Sequence, residues 1–196
     1  MFKCSKEITF ILASASPRRR ELLAGVGLEF SVQPADCDER RLMDETPKQM
    51  VERLSLAKAQ TLTAANPEAW VLGADTCVVI DGHVLGKPEN EDQAVAMLQK
   101  IQGREHTVWG GLAIVNRNHG VSHVESHSTQ VKMASLSDAA IRLYIASGEP
   151  MDKAGAYAIQ GIGAGLVESV SGSYTNVVGL NLSATLMALK HYGVLA

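Results

Sequence analysis

Three cysteines in 196 residues, with no CxxC pair among them, give no basis for a disulfide framework or a zinc ribbon. Cys4, Cys37 and Cys77 are odd in number and scattered, which suits a reducing cytoplasm. Excess charge is absent too. Eighteen Lys and Arg against 21 Asp and Glu leave a formal net charge of −3, which argues against a dedicated nucleic-acid binder. No apolar run approaches the ~20 residues needed to cross a bilayer, so no membrane partner is expected. The longest such run, Trp70–Ile80, is interrupted by Asp75. There is no internal repeat, no low-complexity linker and no glycine-rich loop ending in Gly-Lys-Ser/Thr. The short apolar stretch near the N-terminus runs straight into SPRRREL, and it reads as a first strand rather than a signal peptide.

Hydrophobic residues make up 46% of the chain and charged residues 20%, the balance of an ordinary globular protein with a sizeable core. The length predicts one large domain, or two small lobes sharing a cleft. Ile8–Ser14 and Leu28–Gln33 read as strands around a helix from Pro17 to about Val26, opened by Ser16-Pro17. Thr46-Pro47 opens a longer helix to about Ala65. Trp70–Ile80 is a strand that turns at Asp81-Gly82 into His83–Leu85. Glu91–Ile101 and Asp138–Ala146 read as helices, Thr107–Val115 and Val121–Ala134 as strands. A hairpin is expected around Ser171-Gly172, and a last helix over Ser183–His191. Helices alternate with strands, some of them hairpin-paired, so the class is α/β with a mixed sheet.

Five stretches carry chemistry. The first turn of the helix after Ser16-Pro17 holds Arg18, Arg19 and Arg20. That end of a helix is already partly positive, so three arginines there point to an anion such as phosphate, although a solvated helix face would also accept them. Asp75 lies inside an apolar strand, where a carboxylate must be paired, metal-bound or neutralised. The pair Asp38-Glu39 offers the hard oxygen ligands magnesium prefers, though such pairs are more often solvated loops. Lys58 and Lys87 could each hold a phosphate oxygen, and each by itself reads as a surface lysine. In the small-residue segment Asp152–Gly161, Gln160 carries both a donor and an acceptor and could read a base edge. His119, His123 and His127 have the spacing of metal ligands on a helix, but the stretch from Val121 alternates like a strand.

Together, Leu12-Ala13-Ser14-Ala15-Ser16-Pro17-Arg18-Arg19, Asp38-Glu39, Lys58-Ala59, Gly73-Ala74-Asp75-Thr76, Gly86-Lys87-Pro88 and DKAGAYAIQG resemble the Maf family of nucleoside triphosphate pyrophosphatases. The resemblance runs from about Ile8 to Tyr192. It implies a single domain of the Maf/inosine-triphosphatase-like kind, with an elongated mixed sheet flanked by helices and two lobes around a central cleft. It also implies cleavage of a nucleoside triphosphate between the α- and β-phosphates, dependent on a divalent cation, magnesium or manganese. The DKAGAYxIQG form is similar to the branch acting on dTTP and UTP. The resemblance implies Asp75 as proton acceptor, Arg18 or Arg19, Thr76 and Gln160 as substrate-selecting residues, and Ser14, Glu39, Lys58 and Lys87 as contacts to phosphate or metal. It leaves a homodimer open. Asn181, where relatives often have proline, is expected to weaken the cap of the last helix, and Trp109-Gly110-Gly111 is bulkier than usual.

The chemistry of the residues agrees. A triphosphate needs charge neutralisation more than a strong nucleophile. Arg18, Arg19, Lys58 and Lys87 supply positive charge, and Glu39 with Asp75 supplies a magnesium site. Asp75 is either general base or metal ligand on these grounds. A glutamine amide answers two groups of the acceptor–donor–acceptor edge of uracil or thymine. The same chemistry on 7-methyl-GTP, or a nucleotide-binding regulator of septum formation, are the alternatives.

Overall fold

A computed structural model describes residues 8–195; Cys4 lies outside them. Among the described residues seven strands, β1 (Phe10–Leu12), β2 (Ser31–Val32), β3 (Trp70–Ile80), β4 (His83–Leu85), β5 (Glu105–Asn116), β6 (Val121–Met133) and β7 (Val167–Ser171), take the hydrogen-bonded order β2-β1-β3-β5-β6-β7, with β4 paired to β3 alone. Two compact units divide the chain. The first holds the residues up to Asp75, Gly110–His127 and the stretch from Gly179 on; the second holds Thr76–Trp109 and Ser128–Val178.

In the first unit, β1 (Phe10–Leu12) lies between β2 (Ser31–Val32) and the first half of β3 (Trp70–Ile80), parallel to both. Leu12 is level with Leu72. The latter half of β5 (Glu105–Asn116) and the first half of β6 (Val121–Met133) continue the sheet. Alternation along the strands splits the core in two. Phe10, Leu12, Leu72, Leu112 and Ile114 pack with Leu23 of α1 (Pro17–Gly25) and Leu189 of α6 (Leu182–His191). Ile11, Ala13, Val71, Ala113 and Val115 pack with Ala59 of α2 (Pro47–Thr63).

Helix α2 begins in a reciprocal cap: Gln49 N–H donates to Thr46 Oγ1 at 3.2 Å, and Thr46 N–H donates to Gln49 Oε1 at 3.0 Å. It then lies directly on the sheet. A Cβ at Gly73 would fall 2.1 Å from the Ser55 carbonyl oxygen, and one at Gly111 would fall 2.3 Å from that of Val51. The small residue in the Trp109-Gly110-Gly111 run is thus demanded by the helix above it. Asn181 does not weaken α6 as expected, because its side chain accepts from the Ala184 N–H at 3.2 Å and caps the helix itself.

The second unit carries the end of β3, which turns through Asp81 and Gly82, both at positive φ (50° and 74°), into β4 (His83–Leu85). Asn90 caps α3 (Glu91–Ile101), and Ser137 caps α4 (Asp138–Ala146). Three short 3₁₀ turns follow, at Glu149–Asp152, Ala154–Ala156 and Gly161–Leu166, then β7 (Val167–Ser171) antiparallel to β6 and α5 (Tyr174–Val178). No hairpin forms at Ser171-Gly172. Instead Thr129 Oγ1 accepts from the Ser173 N–H at 3.2 Å, and the chain enters α5.

Candidate active site

In the first unit the chain leaves β1, passes through α1 to β2 on one side, and returns through α2 to β3 on the other. Such a reversal opens a crevice at the carboxyl ends of the strands. Ser14, two residues past β1, is buried there. Its Oγ accepts from the Ser16 N–H at 3.2 Å and from Arg19 Nη1 at 3.0 Å. Arg19 Nε also donates to the Gly179 carbonyl at 2.9 Å, so the guanidinium is oriented at two of its nitrogens. Burial lowers the proton affinity of Arg19, while the carboxylates of Asp75 and Glu39 oppose that and the charge of Arg18 adds to it. Ser16 makes no side-chain cap, and no acidic residue stands in the first turn of α1. Arg18 is half-buried and Arg20 exposed.

Asp75 sits on β3 three residues beyond Leu72 and is 8% exposed. Its Oδ1 accepts from Lys58 Nζ at 2.8 Å, and the same ammonium lies 3.0 Å from Glu39 Oε1. Lys58 is not the surface lysine that its neighbours suggest; it is 7% exposed. The reason is its place on α2. It falls four residues after Leu54 and seven after Val51, on the helix stripe turned to the sheet. The spacing was present in the sequence, but an ammonium on an apolar stripe reads as an interruption until a carboxylate is found opposite it.

The pair Asp38-Glu39 divides its work. Asp38 turns to Arg40, with Oδ2 2.6 Å from Nη2, and hydrogen bonds from Arg40 hold its carboxyl at about 2. Glu39 turns to Lys58. The loop that carries it is fastened to α2 by Glu45, a buried carboxylate 2.5 Å from Arg53 Nε. Sequence reasoning missed this clasp, which no local pattern announces. Cys37 was also passed over. Burial raises its thiol pKa, with Lys58 opposing and Glu39 and Asp75 reinforcing that shift, so it too lies in the field of the cluster. Ser14, Arg19, Glu39, Lys58 and Asp75 are thus brought together, with Arg18 alongside.

The donor set suits a hard divalent ion. Asp75 and Glu39 bring two carboxylates to the Lys58 ammonium, and magnesium needs only one or two when phosphate oxygens complete its shell. Among the described residues no group of three His, Cys, Asp or Glu gathers into a cage that would hold a metal alone. Along β6, His123 and His127 do not share a helix face; both stand 3.6 Å from Glu125, between them on the strand.

The remaining predicted residues belong to the second unit. Thr76 follows Asp75 on β3, is half-buried and points to the other face of the strand. Lys87 is exposed in the turn after β4, and that turn is tied to the DKAG segment by the Gly155 N–H, which donates to the Gly86 carbonyl at 3.0 Å. Gln160 is exposed at the apex of the loop between two 3₁₀ turns.

The family model described as Maf-like protein matches residues 9–192. The chain belongs to the Maf family. A relative from Desulfotalea psychrophila, named dTTP/UTP pyrophosphatase, is 43% identical over 196 residues, all of both chains. One of the same name from Symbiobacterium thermophilum is 49% identical over 184 residues, 93% of each. Among solved structures, the Staphylococcus aureus Ham1 protein matches with a TM-score of 0.45 at 12% identity, over 64% of this chain and 72% of that one. In this chain the SPRR and GADT pieces are two sides of one charged cluster.

Proposed function

We propose that this protein hydrolyses dTTP and UTP to the nucleoside monophosphate and pyrophosphate, in the cytoplasm. Curated relatives carry that activity in their names at 43% and 49% identity. The observation that carries the reading is the buried Asp75 carboxylate, 2.8 Å from the Lys58 ammonium and in the field of Arg19. Cys37 and Cys77 are both thiols, which suits a reducing compartment.

Three cations, Arg18, Arg19 and Lys58, stand against two carboxylates, so the cluster is cationic before any metal binds. Lys58 engages one oxygen of Asp75, and the other is the one that orients a water. That water attacks the α-phosphorus in line, the bond to the α–β bridging oxygen breaks, and pyrophosphate leaves with the electron pair. Asp75 takes the proton. Arg19, held by Ser14 and the Gly179 carbonyl, meets the charge on the phosphate oxygens without reorganising. Glu39 and Asp75 would hold a magnesium or manganese ion, which when bound neutralises phosphate charge. Lys87 adds positive charge for the leaving pyrophosphate. Gln160 reads the uracil or thymine edge, and Thr76 lies on the strand beside the acid.

Pyrophosphate release from UTP, dTTP, CTP, GTP and 7-methyl-GTP, with magnesium and with chelator, tests this. UTP and dTTP should be turned over fastest, and only with the metal. Faster turnover of 7-methyl-GTP or GTP would overturn the substrate assignment.

A further inference from the structure

The segment that carries Gln160 is held at both of its ends by a pair of side chains, Tyr144 and Glu149, that the sequence reading did not single out. Before the apex, the Ala158 N–H donates to the Tyr144 hydroxyl oxygen at 3.0 Å. After it, the Ile162 and Gly163 N–H groups donate to the two oxygens of Glu149 at 2.9 and 2.8 Å. The Tyr144 hydroxyl also lies near enough to Glu149 to help hold its carboxyl below the usual range. Tyr144 thus holds the stem before Ile159-Gln160-Gly161, and Glu149 holds the stem after it.

Each partner is itself fixed. Tyr144 is a buried residue of α4, 3% exposed. Lys153, from the same DKAG segment, donates to the Glu149 backbone carbonyl at 2.6 Å. The loop is shaped to admit the carboxylate. A Cβ at Gly161, which has φ +65°, would fall 2.1 Å from Glu149 Oε1. One at Gly163 would fall 2.6 Å from the Tyr144 hydroxyl. Burial works to raise the Glu149 pKa, but the Tyr144 hydroxyl and the two amides outweigh it and leave the carboxyl below its usual range. The clamp therefore stays ionised at neutral pH.

We infer that Tyr144 and Glu149 are positioning residues for base selection: they hold the backbone on either side of Gln160 so that its amide is presented in one orientation. The inference rests on the reading of Gln160 as the residue that meets the pyrimidine edge. An amide carried on a loose loop can drift out of register with the pyrimidine edge, and then tells uracil from cytosine less well. A fixed loop limits that drift.

The test compares kcat/KM for UTP and CTP in the wild type, Gln160→Ala, Tyr144→Phe, Glu149→Gln and the Tyr144→Phe, Gln160→Ala double variant. Gln160→Ala should lower the UTP-to-CTP ratio by about tenfold or more. Tyr144→Phe and Glu149→Gln should each lower it by about fivefold, through a higher KM for UTP with kcat within about threefold of wild type. The double variant should be no less selective than Gln160→Ala alone. Tyr144→Phe removes a single oxygen and decides the matter if Glu149→Gln yields no folded protein. The inference is overturned if Gln160→Ala loses selectivity while Tyr144→Phe keeps it, or if the two losses add. It also falls if Gln160→Ala is as selective as wild type, and that result removes the base-reading role from Gln160 as well.

Discussion

Replacing Lys58 with methionine removes the ammonium that lies 2.8 Å from Asp75 and 3.0 Å from Glu39 while keeping much of the side chain's bulk. The two contacts are unequal. The Glu39 side chain is 58% exposed, so its half of the cluster contributes at most about 1 kcal/mol. The Asp75 side chain is 11% exposed, and stranding a buried carboxylate costs about 3–5 kcal/mol. For a chain of this size each kcal/mol moves Tm by about 2–4 °C, so Lys58→Met should unfold some 6–20 °C below wild type. The double variant Lys58→Met, Asp75→Asn strands no charge and should recover at least half of that loss, because removing both partners of a buried pair is far cheaper than removing one. Thermal or urea unfolding of the wild type, the two single variants and the double variant closes the cycle. If Lys58→Met unfolds within 2 °C of wild type (roughly the shift from half a kcal/mol), or if the losses simply add, the buried pair is not what holds this end of β3 and α2 together.

Three further outcomes follow from the same geometry. Gly111→Ala would drive a methyl to 2.3 Å from the Val51 carbonyl oxygen, and should cost about 1–3 kcal/mol and lower activity by displacing the helix that carries Lys58; Gly25→Ala, with nothing within 4 Å, is the neutral control in the same unfolding assay. Burial pushes the His106 pKa from 6.5 down to about 4, so the unfolded chain binds the extra proton between those values. That contribution to stability is full above pH 6.5 and falls by roughly 3 kcal/mol as pH drops toward 4; urea midpoints across that range should show the slope, and His106→Gln should flatten it. Arg19→Lys keeps the charge but cannot reach both the Ser14 hydroxyl and the Gly179 carbonyl, and steady-state kinetics should show kcat/KM for UTP reduced by about tenfold or more.

Much of the fold was legible in local pattern. Trp70–Ile80, Glu91–Ile101 and Asp138–Ala146 have the observed bounds, because an apolar run or a helical stripe ends in each case at a residue that stops it. The Asp81-Gly82 turn was readable because it needs positive φ at both positions and those residues supply it cheaply. Ser171-Gly172 carries a similar signal and makes no hairpin, since the decisive contact is Thr129 on a strand 44 residues away. The site divides along the same line. Asp75 announced itself as a charge in an apolar strand. Lys58 did not, because burial of an ammonium depends on a carboxylate 17 residues further on. The Glu45–Arg53 clasp and the Tyr144–Glu149 clamp act by holding other residues in place, and nothing in a short window marks a residue whose role is to hold another.

In the proposed reaction the carboxylate of Asp75 drives hydrolysis. The direct measurement is pyrophosphate release from UTP by Asp75→Asn under saturating magnesium, beside binding of UTP to the same variant. A lost general base costs about 10²–10⁴ in rate, so release should fall by at least a hundredfold while UTP still binds. Release within tenfold of wild type by a folded Asp75→Asn protein would remove the proton-accepting role from Asp75.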